Sequence, residues 1–455
     1  MKPLPFEDDP HPGKPKILFI GHGSSSHTLA WIDSLKDAGF NVRLFCLPDT
    51  MPPQDWWAKA YVAVPTEKMP LEIETGKWSS FHPTPVQKRH LSNQMDGKLN
   101  AMRHNLLYWL VVAFKKLYNW RGIPQLSIEF DWRTYFQSPQ TKASTPFEWL
   151  AGIIHDWQPD IIHTLGMDTA GRFYFQTRNE FHLQGIGKWI LQLRGGSDLT
   201  LSRHDSRLHS EIREIMLYAD QVISDNLVNF DYLSQMGVSS EKFASISPIP
   251  GTGGVDVQGL ANLRSLKTSQ SRIIVWPKAY DCEWSVALPV FEALKMVWDR
   301  IQPCEIYMFV MVTPGTQMWY NALPSEIRRH CIVSDRVPRN ELLDLMLRAR
   351  VMLAPSLVDG VPNSLYEAMA AGVFPIVSPL ETIVPVVKNE ENVLFARNLY
   401  PQEIADALLR VMLDDEFVNL VVERNLHRVS ELADRSALTP RIVDYYASLA
   451  KRDKA

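Results

Sequence analysis

The chain alternates short apolar runs with helical segments, and this pattern occurs twice. The first group of strand-length runs lies at 16–23, 41–47, 161–163, 189–193 and 221–223. The second group lies at 272–276, 306–312, 331–333, 350–354 and 374–377. Continuous apolar runs of this length are typical of strands buried on both faces of a parallel sheet. The first helix is predicted from His27 to Ala38, with Gly39 as its stop. The sequence therefore predicts an α/β protein with two doubly wound units.

A Pro- and Gly-rich stretch separates the two groups. Residues 247–254 read Ser-Pro-Ile-Pro-Gly-Thr-Gly-Gly, a composition that favours a linker. Because 455 residues are too many for one core, we expect a first domain at 1–250 and a second at 255–438. Two such domains facing each other would hold a ligand in the cleft between them, at the carboxyl ends of the strands.

Composition excludes several classes of protein. The chain is 45% hydrophobic and 22% charged, as in ordinary globular proteins. A net charge of −4 argues against a nucleic-acid partner. The four cysteines show no paired metal spacing, and the polar, Pro-rich start has no apolar signal core. We therefore expect reduced thiols and a cytoplasmic location.

The densest functional pattern lies between the strand at 350–354 and Gly372. An Asp359-Gly360 turn leads to Pro362, which is suited to the first helical position, and Gly372 can end the helix in a left-handed conformation. Free N–H groups at a helix start attract phosphate. Glu367, one turn further in, could accept hydrogen bonds from both hydroxyls of a ribose, and Asp359 could meet a sugar hydroxyl. The alternative is that Asp359 only starts a turn and Glu367 only favours the helix dipole.

This pattern predicts a donor-binding segment for a nucleotide sugar. Besides the two acids, its predicted donor-binding residues are Gly360, Val361, Pro362, Asn363, Ser364 and Leu365.

The spacing from Asp359 to Glu367 resembles the Glu-x7-Glu signature of retaining glycosyltransferase family four, with Asp in the first position. Segments 219–224 and 254–256 are similar to the strand before the linker and to the hinge of that family, whereas 66–145 matches nothing and is an unusual insertion in the first domain. The resemblance implies the GT-B fold, two facing Rossmann-like domains with an interdomain cleft. It also implies that Glu367 binds the donor ribose and that Asp359 lies near a hydroxyl of the donor sugar.

The resemblance also implies a final helix that crosses back to the first domain. Thr439 is a good N-cap and Pro440 follows it, so this helix is predicted within 439–455.

Two further catalytic residues are expected from the resemblance. His163 matches an Asp-x-x-His strand end whose histidine faces the transferred sugar, although a lone histidine after an apolar pair is more often structural. Lys278 follows the first strand of the second domain, where the family places a cation for the donor diphosphate. The alternative for Lys278 is a solvated surface lysine. The usual second cation is missing, which leaves open whether the diphosphate is held by one cation or two.

The remaining predicted contacts lie at other strand ends. The small-residue turn after the first strand contributes Gly23 and Ser24 to donor binding, a weak signal because it is not a dinucleotide motif. Val337 and Pro338 lie where the family holds the base through backbone groups. Arg194 and Asp198 belong to a Gly-Ser-Asp turn on the acceptor side. Arg194 could hold an acceptor phosphate or acid, or it could pair with Asp198 to fix the loop.

Taken together, these features predict a glycosyltransferase of polysaccharide biosynthesis, and the family resemblance implies that it retains the anomeric configuration. It would move a hexose-type sugar from a nucleotide-diphosphate sugar to a glycan or lipid-linked acceptor. No cofactor and no metal are expected, since a cation and a helix start can stabilise the diphosphate and the acidic run 414–416 is predicted as a helix N-cap. The alternatives are a nucleotide-sugar epimerase of the same fold and a non-catalytic sugar-nucleotide-binding subunit.

An apolar, aromatic stretch with a basic end lies at 106–120, and more basic residues precede it. Residues 90–120 could therefore contact the inner membrane face peripherally and bring the enzyme to a lipid-linked acceptor. A buried helix is the alternative interpretation.

Overall fold

A computed structural model describes residues 9–48, 50–53, 55–63, 78–81, 145–196, 198–311, 313–335 and 337–451. Apart from 78–81 and Thr145, the insertion expected at 66–145 lies outside the described residues, as does the segment 90–120. None of the helices in the described part of the chain has the length and hydrophobicity needed to cross a bilayer.

The first domain is built on a seven-stranded parallel sheet of order β4-β3-β2-β1-β5-β6-β7. Its strands are β1 Lys16–Gly21, β2 Asn41–Cys46, β3 Lys59–Ala63, β4 Trp78–Phe81, β5 Ile161–Leu165, β6 Lys188–Gln192 and β7 Gln221–Ile223. The described helices are α1 Ser26–Asp33, α2 Pro146–Trp157, α3 Arg172–Glu180, α4 Leu199–Ser202, α5 His209–Tyr218 and α6 Val228–Gln235. The strand order reverses direction next to β1, so a crevice opens at the carboxyl ends of β1 and β5.

The second domain has a six-stranded parallel sheet of order β10-β9-β8-β11-β12-β13. Its strands are β8 Ile273–Trp276, β9 Glu305–Phe309, β10 Cys331–Ser334, β11 Val351–Ala354, β12 Phe374–Val377 and β13 Leu394–Phe395. Its helices are α7 Val257–Leu263, α8 Leu288–Ile301, α9 Pro314–Asn321, α10 Ser325–Arg328, α11 Arg339–Met346, α12 Asn363–Ala370, α13 Pro401–Leu413 and α14 Asp415–Ala433. Here the order reverses next to β8, so Lys278 and the β11–α12 loop meet at one sheet edge. The predicted N-cap in the acidic run is confirmed, because the Asp414 carboxylate accepts the Phe417 amide at 3.0 Å.

The chain crosses between the domains a second time in α15, Arg435–Lys451. This helix begins at Arg435 and not at Thr439, because Asp434 accepts hydrogen bonds from the amide and hydroxyl of Ser436 and so caps it earlier. Pro440 consequently lies inside the helix. Leu438, Ile442 and Tyr446 join the core between the first sheet and α1. Part of the first domain's core is therefore supplied by residues that follow the second domain.

The two crossing segments are hydrogen-bonded to each other. The Val255 amide donates to Ala433 at 2.8 Å, and the Arg435 amide donates to Val255 at 2.9 Å. Gly254 precedes this bridge with φ +103°, a conformation that favours glycine. The connection between the domains is therefore a paired double crossing.

The contribution of α15 to the first domain can be measured. Ile442 is fully buried, so Ile442→Ala should lower the free energy of unfolding by about 2–5 kcal/mol. Leu420→Ala on α14 is the matched control, since Leu420 is 45% exposed and should change stability by less than about 0.5 kcal/mol. Urea unfolding followed by circular dichroism gives both values. Equal effects of the two substitutions would contradict the packing of α15 on the first sheet.

Candidate functional site

The donor-side segment folds largely as its sequence predicts. Strand β11 leads through the Asp359-Gly360 turn into α12, whose inner face is buried. Pro362 is the N-cap residue and not the first helical residue, and Gly372 follows the helix with φ +67°, the left-handed conformation expected of it. At the start of α12, the Ser364 hydroxyl is buried and has no hydrogen-bond partner among the described residues. The helix start therefore has a polar group and backbone N–H groups available for an anion.

The two predicted acids are each held by a cation. Asp359 is 5% exposed, and its Oδ2 accepts from Lys278 Nζ at 2.9 Å. Glu367 is 7% exposed, and its Oε1 accepts from Arg339 Nε at 2.7 Å. Burial alone would lower the pKa of Lys278, but the Asp359 carboxylate raises that pKa above its usual range, so the lysine stays protonated. The structure thus brings Lys278 to Asp359 and adds Arg339, which the sequence analysis did not assign.

His27 lies where the two domains meet. It belongs to the first turn of α1, the residue keeps an exposed surface, and its Nδ1 lies 3.4 Å from the Asn363 amide at the start of α12. Enclosure by protein atoms lowers the pKa of His27 well below its usual range, and the positive charges of Arg194, Lys278 and Arg339 lower it further. The histidine is therefore neutral at pH 7. Cations from both domains converge on this point, which suits an anionic ligand in the cleft.

The loop between β11 and α12 is also held against the first domain. Asp225, just after β7, accepts the Val361 amide on Oδ2 at 3.2 Å and the Asn226 side chain on Oδ1 at 2.6 Å. Two glycines permit this approach. A Cβ at Gly360 would lie 2.4 Å from Asp225 Oδ2, and a Cβ at Gly196 would lie 2.9 Å from the Val358 carbonyl oxygen. The predicted donor loop is therefore closed onto the first domain by direct backbone contact.

The Asp225 contact should make stability depend on pH. Burial raises the pKa of Asp225 to about 7, against the opposing Asn226 hydrogen bond, and the charge of Asp359 raises it further. Between pH 4 and 7 the folded protein then binds a proton that the unfolded chain has lost, so the free energy of unfolding falls as pH rises. Above pH 7 this contribution is constant.

Comparison with Asp225→Asn isolates the contribution. Subtracting the urea-unfolding free energies of the variant from those of the wild type between pH 4 and 8 should give a declining difference, with a slope of at most about 1.4 kcal/mol per pH unit. A flat difference would show that Asp225 is ionised throughout.

Asp198 organises the acceptor-side loop. It is 5% exposed, and its carboxylate accepts the backbone amides of Met167, Asp168 and Arg194 at 2.8, 2.9 and 2.7 Å. The Arg194 guanidinium binds Gln192 Oε1 at 3.0 Å and Thr28 Oγ1 at 3.3 Å instead of the carboxylate. The expected pairing of Arg194 with Asp198 is therefore made through the backbone. Asp198 has the position of a loop-holding residue, and Arg194 is the member of the pair that reaches the cleft.

His163 differs most from its expected position. It is the third of five residues in β5 and not a strand end, and it is fully buried. Its Nδ1 lies 2.5 Å from the Tyr446 hydroxyl of α15. The centroid of its ring lies 5.2 Å from the ring centroid of Phe19 and 5.9 Å from that of Trp31. Burial, with a further contribution from Arg194, lowers the pKa of His163 well below its usual value. The side chain thus contacts the crossing helix through Nδ1, while its Nε2 is buried and has no hydrogen-bond partner among the described residues. Its contact with a transferred sugar stays a prediction.

Among the other residues predicted to contact the donor, Gly23, Val337 and Pro338 have packing or helix-capping positions. The Gly23 amide donates to Thr50 Oγ1 at 3.0 Å, and a Cβ there would lie 2.6 Å from Cys46 Sγ, so this glycine allows the turn to pack on β2. Ser24 is exposed. Pro338 is the N-cap of α11, and Val337 packs on the second domain's core. Their donor contacts stay predictions. Within the described ranges, no group of three or more His, Cys, Asp or Glu side chains is arranged to hold a metal ion.

Comparison with known proteins now bears on this site. Residues 316–427, which include α12 and the two predicted acids Asp359 and Glu367, match the sequence profile of the family described as glycosyl transferases group 1. This part of the chain is therefore similar to glycosyltransferase group 1 domains. No curated protein sequence shows significant similarity to the chain.

Solved structures resemble the whole chain. HepE of Anabaena, in complex with UDP-glucose, is 15% identical with a TM-score of 0.57, over 95% of this chain and 99% of that one. Sucrose-phosphate synthase from Thermosynechococcus elongatus is 15% identical with a TM-score of 0.61, over 96% and 99%. A glycosyltransferase from Rickettsia africae is 13% identical with a TM-score of 0.59, over 97% and 100%. The GT-B prediction is confirmed, and the domain and the fold together support a GT-B glycosyltransferase.

Proposed function

We propose that the protein is a retaining glycosyltransferase similar to family four, which takes a hexose-type sugar from a nucleotide-diphosphate donor. The observation that carries this proposal is the pair of ion pairs at α12, Lys278–Asp359 and Arg339–Glu367, beside His27. Buried acids that are matched by cations at a helix start fit a ligand that has hydroxyls and phosphates side by side.

The chemistry follows from the charges that develop in the reaction. Departure of the nucleoside diphosphate places negative charge on its phosphates and positive charge on the anomeric carbon. Lys278 and the start of α12, including the free Ser364 hydroxyl, are preorganised to stabilise the phosphates. Glu367 would hold the ribose diol and Asp359 a hydroxyl of the donor sugar.

Retention is the stereochemical outcome that the family resemblance implies. The acceptor would attack from the face that the diphosphate leaves, and the departing phosphate would take the acceptor proton. His27, neutral and between the domains, adds a polar group at the same place. Neither a metal nor a separate cofactor is part of this scheme.

The first domain would supply the acceptor side. Arg194 lies two residues after β6, half-buried, with its guanidinium oriented by Gln192 and Thr28. A planar cation in this position suits a phosphate or carboxylate group on the acceptor. We therefore propose a glycan or lipid-linked acceptor that carries such a group.

The test begins with a thermal-shift screen of nucleotide sugars, with UDP-glucose first because HepE was solved with it. A true donor should raise the melting temperature in proportion to the logarithm of its concentration. NMR of the sugar released by slow hydrolysis should then show the anomeric configuration of the donor. An isomerised sugar would identify an epimerase, and binding with no turnover over days would identify a non-catalytic subunit. Inversion would overturn retention alone.

A further inference from the structure

We propose that Arg339 is the second cation of the donor diphosphate site, and that its ion pair with Glu367 is exchanged for phosphate when the donor binds. This inference rests on the proposed function and identifies which residue completes it. No arginine lies next to Lys278 at the carboxyl end of β8. A second cation therefore has to come from another element.

The geometry of Arg339 suits this role. It is the first residue of α11, directly after Pro338, and its side chain is 28% exposed. Only Nε is engaged, at 2.7 Å from Glu367 Oε1. Within the described residues, the two terminal amino groups of the guanidinium have no hydrogen-bond partner. A planar fork with both terminal nitrogens available can bind two phosphate oxygens at once.

Several cations lie near Arg339. His27 lies close enough to have its pKa lowered by Arg194, Lys278 and Arg339 after the larger effect of burial. Arg435, at the double crossing, has its pKa lowered by burial and then by Arg339. Carboxylates lie among these cations as well: against the larger lowering by burial, Asp33, Asp256 and Glu367 raise the pKa of Arg435, and Asp198 and Asp225 raise the pKa of Arg194. Phosphate groups beside Arg339 and Lys278 would be attracted by both cations, whereas an uncharged sugar would gain no such attraction.

An exchange of partners on ligand binding explains why the Lys278–Asp359 and Arg339–Glu367 ion pairs form in the empty site. A buried carboxylate left without a partner is strongly unfavourable, so Glu367 and Asp359 each need a cation in the empty site. When ribose and sugar hydroxyls reach the carboxylates, they replace the cations as hydrogen-bond donors. Arg339 and Lys278 are then free to turn to the phosphates between them. One ligand therefore satisfies both halves of each ion pair.

A purely structural role of Arg339 would give a different pattern of ligand affinities. If Arg339 only orients Glu367, its loss would weaken the ribose contact and would affect every ligand that contains a ribose. If it binds phosphate, its loss would affect only ligands that carry phosphates. Uridine, UMP and UDP form the series that separates the two, or the matching series of the base that the thermal-shift screen selects.

Isothermal titration of this series should be made on the wild type, Arg339→Gln and Arg339→Lys. We expect Arg339→Gln to weaken UDP binding about tenfold or more, with uridine affinity changed less than about twofold. Arg339→Lys should recover part of the UDP affinity, because it keeps the charge without the fork. Arg410→Gln is the matched control, since Arg410 also forms a 2.7 Å pair with a glutamate of the same domain, Glu390. It should bind all three ligands as the wild type does.

The failures are distinguishable. An equal loss for uridine and UDP in Arg339→Gln, with a melting temperature close to that of the wild type, overturns the second-cation role and leaves the proposed function standing. Unchanged UDP affinity in that variant overturns it as well. A wild type that binds no nucleotide of any base overturns the proposed function together with this inference.

Discussion

Replacing Glu367 by alanine is expected to lower kcat/KM for donor turnover by about 100-fold, close to ~3 kcal/mol of transition-state stabilisation. The carboxylate is 7% exposed at the inner face of α12, where it can accept two ribose hydroxyls. Losing both hydrogen bonds weakens the ground state and the transition state alike, so most of the change should appear in KM. The change in kcat/KM is measured from initial rates of sugar release, with the donor that the thermal-shift screen identifies.

A second glutamate provides the control for this substitution. Glu403 also pairs with an arginine of the same domain, Arg397, but at the exposed start of α13. Glu403→Ala should therefore leave kcat/KM within about twofold of the wild type, as for an exposed ion pair. Near-normal turnover by Glu367→Ala would remove the ribose-binding role from this residue.

Lys278→Met is expected to lower kcat by about 10²–10³-fold, because it removes a preorganised cation from the departing diphosphate. The same change leaves the buried Asp359 carboxylate without its 2.9 Å partner. The Lys278 side chain is 36% exposed, so the accompanying loss of stability should be only about 1–3 kcal/mol.

A double substitution separates these two effects. Lys278→Met combined with Asp359→Asn leaves no unpaired charge and should recover most of the lost stability in urea unfolding. Its turnover should be as low as that of the single variant or lower, because Asp359→Asn also removes the proposed contact with the donor sugar. If turnover returned along with stability, Lys278 would be acting through folding and not on the phosphates.

Much of the fold could be predicted because buried parallel strands are apolar throughout. All ten predicted runs are strands in the structure. The strands that the prediction missed lack this signal. β3 reads Lys-Ala-Tyr-Val-Ala and becomes a strand by pairing with β2, β4 reads Trp-Ser-Ser-Phe, and β13 has only two residues. Helix α1 ends at Asp33, before its predicted end at Ala38, and turns lead on to Gly39. Pairing partners and final turns depend on tertiary contacts, which a local pattern does not contain.

The candidate site also combines residues that a local sequence pattern marks with contacts between residues far apart in the sequence. Asp359, Glu367 and Lys278 could be proposed from the sequence because each lies beside a strand end or helix start that the sequence marks. Arg339 contacts a residue 28 positions away, and the Asp225–Val361 bond spans 136 positions. Such pairs leave no local trace. Likewise, the Asp-x-x-His pattern could not indicate that His163 turns towards Tyr446, 283 positions later.

The placement of α15 has a consequence for how the protein is made. One layer of the first domain's core is complete only when Leu438, Ile442 and Tyr446 arrive, after the whole second domain has left the ribosome. Until then, the core side chains Ile17, Phe19 and Trp31 are not covered by α15, and the incomplete chain exposes an apolar surface to water. Translation that stopped within the second domain would therefore yield a product prone to aggregate, so the two halves mature together.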